Sequence, residues 1–168
     1  MSIGAQDCFY ESKGAFTGAI SPEMIKHSGC DYVLIGHSER RAIFGDDDEL
    51  CAKKLKAAER IGLKTVYCIG ETLHERKNGL TDDVLKRQLD YWIKTIENVQ
   101  TSMIAYEPVW AIGTGLTPTI KEIEESISII KNYIVHHKID VPFVLYGGSV
   151  KPLNSGEILT ISDGVLVG

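Results

Sequence analysis

The chain has 168 residues, 43% of them hydrophobic and 24% charged, with a net charge of -5 at pH 7, which is ordinary for one soluble globular domain spanning 1–168. The acidic balance argues against nucleic acid or an anionic membrane as partner, because either needs a concentrated basic surface to neutralise phosphates. No apolar run approaches the roughly 20 residues of a membrane span, and Met1 leads into Ser-Ile-Gly-Ala-Gln, not a basic and then apolar leader, so the expected address is the cytoplasm.

Short apolar or β-branched runs recur at residues 2–5, 32–36, 65–69, 102–106, 143–146 and 164–167 and are predicted as strands. Helical signals fill the gaps. Ser21 caps a first helix with Pro22 at its first position and Gly29 as its stop. Ser38 opens a short helix, and Asp46, Asp47, Asp48 and Glu49 open a longer one that Gly62 ends. From Thr81 the spacing of Leu85, Leu89, Trp92 and Ile96 predicts an amphipathic helix. Thr119 and Glu122 form a capping box before an isoleucine-rich helix, and Asn154 with Glu157 predicts a short last one. Alternating helices and all-apolar strands imply a parallel sheet covered by helices. An eight-stranded barrel usually takes about 250 residues, so length alone favours an open doubly wound sheet.

In parallel α/β proteins, chemistry gathers where strands end and helix N-termini converge. His37 follows the second strand at a helix start, where partial positive charge disfavours the imidazolium and leaves a neutral ring able to donate to an oxygen. The competing reading is a structural histidine bonded to backbone. Glu107 follows the fourth strand, between Tyr106 and the apolar run Pro108, Val109 and Trp110. Burial there raises the pKa of a carboxylate and suits it to take a proton from carbon, whereas the alternative is a buried ion pair with Arg40 or Arg41. Gly147, Gly148 and Ser149, with Gly168 after the next strand, suit a phosphate approached by backbone N–H groups. Gly113, Thr114 and Gly115, bounded by Pro108 and Pro118, read as a simple loop or as a lid that closes in one piece. The four cysteines contain no CxxC pair, and no cluster has metal-ligand spacing, so metal catalysis is not expected.

GAQDC, GAFTGAISPEM, CDYVLIGHSERRAIFG, CIGETLHER, AYEPVWAIGTG, LYGGSVKP and DGVLVG together resemble triosephosphate isomerases from Ser2 to Gly168. The resemblance implies a (β/α)8 TIM barrel, of which this chain supplies the third through eighth strands and is therefore incomplete. It implies interconversion of dihydroxyacetone phosphate and glyceraldehyde 3-phosphate without cofactor, as part of glycolysis and gluconeogenesis. Glu107 resembles the base and His37 the electrophile. Gly113, Ser149 and Gly168 resemble phosphate ligands, and Ala111, Ile112, Thr114 and Gly115 resemble the lid tip. Ser38 and Glu39 resemble residues just behind the site, and Thr17 the tip of a loop that enters a second subunit of a homodimer.

Three departures accompany the resemblance. The family's Asn-x-Lys motif, whose lysine neutralises charge on the substrate, occurs nowhere in the chain. Gly168 is reached before the second glycine of the family's phosphate-binding pair, and Ala19 stands where a glutamate is usual. A preorganised cation is worth several kcal/mol to an oxyanion, so little or no turnover is expected from these residues alone. The alternative is an inactive remnant that at most binds phosphate.

Overall fold

The computed structural model describes residues 1–112, 114 and 116–167. Six strands, β1 (Gly4–Ala5), β2 (Tyr32–Ile35), β3 (Lys64–Ile69), β4 (Ser102–Tyr106), β5 (Val144–Tyr146) and β6 (Gly164–Val165), form one parallel sheet whose spatial order is the chain order. An open doubly wound sheet reverses its strand order at a switch point. No reversal occurs here, so every crossover steps to the next position in the same direction. That is barrel topology, and it overturns the open sheet favoured by length. Among the described residues β1 and β6 are not paired with each other, so the six strands make an incomplete barrel.

Both faces of the sheet are apolar, as the unbroken hydrophobic runs require. Ile35, Tyr67, Ile69, Ile104 and Tyr106 pack with Leu55, Leu89, Trp92 and Ile127 of the covering helices. On the opposite, inner face Val66, Cys68 and Ala105 meet Leu34, Met103 and Leu145 in a smaller cluster. Successive side chains of a strand alternate between faces. Glu107 continues the register of Met103 and Ala105 and so leaves β4 on the inner side.

The helices form where their caps and periodicities place them. In α1 (Pro22–His27) the Ser21 hydroxyl accepts from Met24 N, and Asp47 caps α3 (Asp48–Arg60) through Leu50 N. Leu85, Leu89 and Trp92 form the buried stripe of α5 (Thr81–Thr95). Thr119 and Glu122 close their capping box on α6 (Ile120–His136). The helix at Ser38 is α2 (Ser38–Phe44).

Two local readings change. α4 (Leu73–Lys77), capped by Thr72 and Glu75, is not predicted, because five residues carry no helical periodicity. α7 (Ser155–Ile161) does follow Asn154, but the Asn154 side chain does not cap it. Its Oδ1 instead accepts from Lys151 N at 2.7 Å and its Nδ2 donates to Ser149 O at 3.1 Å. Asn154 therefore braces the turn after β5 from within.

Candidate active site

The carboxyl ends of β1, β2, β4 and β5 open into one cavity of about 870 Å³, reached by Gln6, His37, Glu107, Gly147, Gly148 and Ser149 among others. Glu107 is 2% exposed. Its backbone N–H donates to Ile69 O at 2.7 Å, which prolongs the β3–β4 ladder by one residue, and its Oε2 accepts from Ser38 N at 2.8 Å. Burial is the largest influence on this carboxyl and pushes it above its ordinary range; His37, the Ser38 backbone hydrogen bond and Arg41 pull the other way without overcoming it. The alternative of an ion pair with an arginine is not what forms. Arg40 pairs with Asp7 and Asp46, and Arg41 with Asp48.

His37 is the N-cap of α2, and its Nδ1 accepts from Glu39 N at 3.3 Å. A ring nitrogen that accepts carries no proton, so the ring's proton sits on Nε2. Nε2 lies 3.1 Å from Glu107 Oε1, yet the two are not aligned as a hydrogen bond, and Oε1 is left buried without a hydrogen-bond partner, as is Ser38 Oγ. The backbone contact of the structural reading forms, and the ring still reaches the cavity. One nitrogen is held by backbone, and the other is presented to the cavity beside an uncommitted carboxylate oxygen.

The loops bring Glu107 this far by close approach. A Cβ on Gly70 would stand 1.7 Å from the Glu107 carbonyl oxygen, and one on Gly147 3.0 Å from Glu107 Cγ. Gln88 of α5 holds Gly70 by both backbone groups, accepting from its N–H at 2.9 Å and donating to its carbonyl at 3.3 Å. Behind the site, the fully buried Glu71 accepts from Trp110 Nε1 at 3.0 Å and from Tyr106 OH at 3.2 Å. Gln88, Glu71 and Asn154 escape sequence reasoning, because each acts through a partner far along the chain or on backbone.

Of the other predicted residues, Ser149, Glu39 and Ile112 line the cavity. Ala111 is buried in the turn after β4, and Thr114 Oγ1 donates to Trp110 O at 2.9 Å. Thr17 does not line the cavity; it is exposed in a turn closed by the Ala19 N to Phe16 O bond. Gly113, Gly115 and Gly168 lie outside the described residues.

The sequence model of the family described as triosephosphate isomerase matches residues 1–168. The chain belongs to the triosephosphate isomerase family. It is 46% identical to the triosephosphate isomerase of Thermodesulfovibrio yellowstonii, an alignment that covers 100% of this chain and 70% of that protein. It is 47% identical to that of Thermoanaerobacter sp. strain X514, over 99% of this chain and 70% of the relative, and 43% identical to that of Rhizobium meliloti, over 100% and 68%. The triosephosphate isomerase fold thus agrees with the unreversed strand order. Glu107, His37 and the turn after β5 meet in one cavity at the end of the sheet where barrels of this kind carry their chemistry.

Proposed function

We propose that the cavity interconverts dihydroxyacetone phosphate and glyceraldehyde 3-phosphate, with Glu107 as the base and His37 as the hydrogen-bond donor to the carbonyl. The observation that carries this reading is the juxtaposition of a buried, uncommitted Glu107 oxygen and His37 Nε2 at 3.1 Å on one cavity wall. Triosephosphate isomerase is itself the standard illustration of a glutamate base working with a neutral histidine.

The steps follow from the geometry. Glu107 takes a proton from the carbon next to the carbonyl, and the electron pair moves onto the carbonyl oxygen. His37 Nε2–H stabilises that oxygen and exchanges protons between the two oxygens of the enediolate. Glu107 then returns its proton to the neighbouring carbon. Ser149, in the turn braced by Asn154, and the small residues beside it are the proposed phosphate ligands, together with Gly113 and Gly168. Ala111, Ile112, Gly113, Thr114 and Gly115 form the proposed lid, whose closure excludes water and discourages loss of phosphate from the intermediate. No metal or cofactor enters any step.

We further propose a cytoplasmic homodimer. No described helix is long and apolar enough to cross a membrane. The exposed Phe16 and Ile20 flank Thr17, with Ile43 and Phe44 exposed at the end of α2, and this apolar set suits a second copy that receives the Thr17 turn.

The test is isomerisation of either triose phosphate by the purified protein and its Glu107→Gln variant. Turnover is expected to be slow, since no Asn-x-Lys lysine is present, and to fall about 10²- to 10⁴-fold on loss of the base. A rate indifferent to Glu107→Gln overturns the reading. So does failure of a phosphate-bearing enediolate mimic to bind, followed by phosphorus NMR.

A further inference from the structure

We propose that Arg76 is a positioning residue that fastens both ends of the β4–α6 connection to one guanidinium, so that the Trp110 end and the Thr119 end shift together beside Glu107. Arg76 Nη1 donates to Glu71 Oε1 at 3.0 Å, and Nη2 donates to Glu122 Oε1 at 2.8 Å. Its guanidinium carbon also lies 4.5 Å from the centre of the Trp110 ring.

Each carboxylate holds one end of the connection. Glu71 accepts from the Trp110 indole N–H, three residues beyond Glu107, and from the Tyr106 hydroxyl just before it. Glu122 uses its other oxygen, Oε2, to accept from Thr119 N at 2.8 Å and Thr119 Oγ1 at 2.9 Å, closing the capping box that starts α6. The near end therefore reaches Arg76 through Glu71 and the indole face, and the far end through Glu122. A planar fork can serve two carboxylates and stack on a ring at once, whereas an ammonium offers a single point of charge.

The environment makes this tie consequential. Glu71 is fully buried, so removing its cation leaves a charge uncompensated, which costs far more than loss of an exposed pair. The helix that carries Arg76 buries none of its five residues. Arg76 is therefore the deep attachment of α4 and is not a by-product of α4 packing. The Trp110 and Thr119 ends therefore share one anchor, and a displacement at one reaches the other through it. The kinetic meaning of that coupling rests on the isomerase reading, but the coupling itself does not.

The experiment uses the full 168-residue chain carrying fluorotryptophan. Its two tryptophans give two fluorine NMR lines, and Trp110→Phe assigns them. Glu122→Gln alters the far end and its ion pair with Arg76, and leaves Glu71 and Trp110 themselves unchanged. The expected result is that it shifts or broadens the Trp110 line in the otherwise unaltered chain, leaves the Trp92 line in place, and has no effect on Trp110 in the Arg76→Leu background. Arg76→Lys, the milder variant, is expected to abolish the response to Glu122→Gln as well. A Trp110 line that responds equally with and without Arg76, or responds in neither background, overturns the proposal. No turnover is read, so a failure of the isomerase reading would leave this result intact.

Discussion

The Glu107 carboxylate accepts a 2.8 Å hydrogen bond from the backbone N–H of Ser38, a residue 69 positions earlier in the chain. That bond and the buried setting oppose each other: the bond favours the ionised form, and burial disfavours it more. The folded pKa is therefore above the unfolded one. For a carboxyl shifted this way, stability is fullest below the unfolded value of about 4.3 and declines as pH rises through the folded value, because ionisation then costs more in the folded state. Activity is expected to run oppositely, since the proposed base must be ionised. The acid limb of kcat/KM is expected above the ordinary glutamate range. Glu107→Gln is expected to raise the denaturation midpoint at pH 7 while removing about 10²- to 10⁴-fold in kcat, with the stability gain vanishing at pH 3. Paired denaturation and kinetic profiles across pH check both signs.

Gly70→Ala tests the close approach of β3 and β4. Its Cβ would meet the Glu107 carbonyl oxygen at 1.7 Å, so one backbone must move. The expected cost is about 1–3 kcal/mol or more in urea unfolding, together with a kcat loss larger than any change in KM, because the displaced group is the proposed base.

Lys54→Met tests the charge cluster under the cavity rim. Lys54 is 2% exposed and lies between Asp46 and Asp7, which also hold Arg40. Burial would raise the Asp46 carboxyl, but Lys54 and Arg40 together overcome it and hold it below its ordinary range. Its stabilisation is thus present above about pH 3.9 and is lost as pH falls through the depressed value. Removing the lysine is expected to cost about 3–5 kcal/mol near neutrality, and the deficit should shrink in acid as Asp46 protonates. Denaturant midpoints at pH 7 and pH 3 measure the difference.

Thiol accessibility gives a fourth prediction. Burial pushes the Cys8 thiol up to about 12 and Cys51 up to about 11, and burial with the neighbouring Glu107 charge raises Cys68 well above its usual value. Cys30 alone of the four is not fully buried. Iodoacetamide at neutral pH is expected to add one label to the native protein and four after unfolding, counted by mass spectrometry.

How much of this was legible in the sequence depended on reach. The helix starts at Ser21, Asp47 and Thr119 lie within four residues of their partners, so local chemistry announced them. Glu107 stood out for the same reason, as a carboxylate enclosed by apolar neighbours. The encounter of Glu107 with Ser38 and His37 was legible only through the family resemblance and not from local chemistry, because it depends on the sheet placing β2, β3 and β4 side by side. Gln88 on Gly70 and Arg76 on Glu122 were hidden likewise, since their partners lie 18 and 46 residues away. Asn154 misled for another reason. Its position fits a helix cap, and only the folded turn shows that its side chain serves Lys151 and Ser149 instead.

The unreversed strand order has a consequence for the order of events as the chain folds. β2 and β4 are not paired with each other; β3, which itself offers the cavity no base and no proton donor, stands between them in the sheet as a spacer. His37 and Glu107 can meet only after two successive crossovers have each closed, and the entropy of closing such loops is lost before the contact that rewards it forms. A chain emerging in order from its N-terminus carries a finished β2–β3 pair while half of the site is still unmade. The Glu107–His37 geometry accordingly forms after the β2–β3 pair, and a probe placed between Ser38 and Glu107 would report closure of the β3–β4 crossover, not the first collapse.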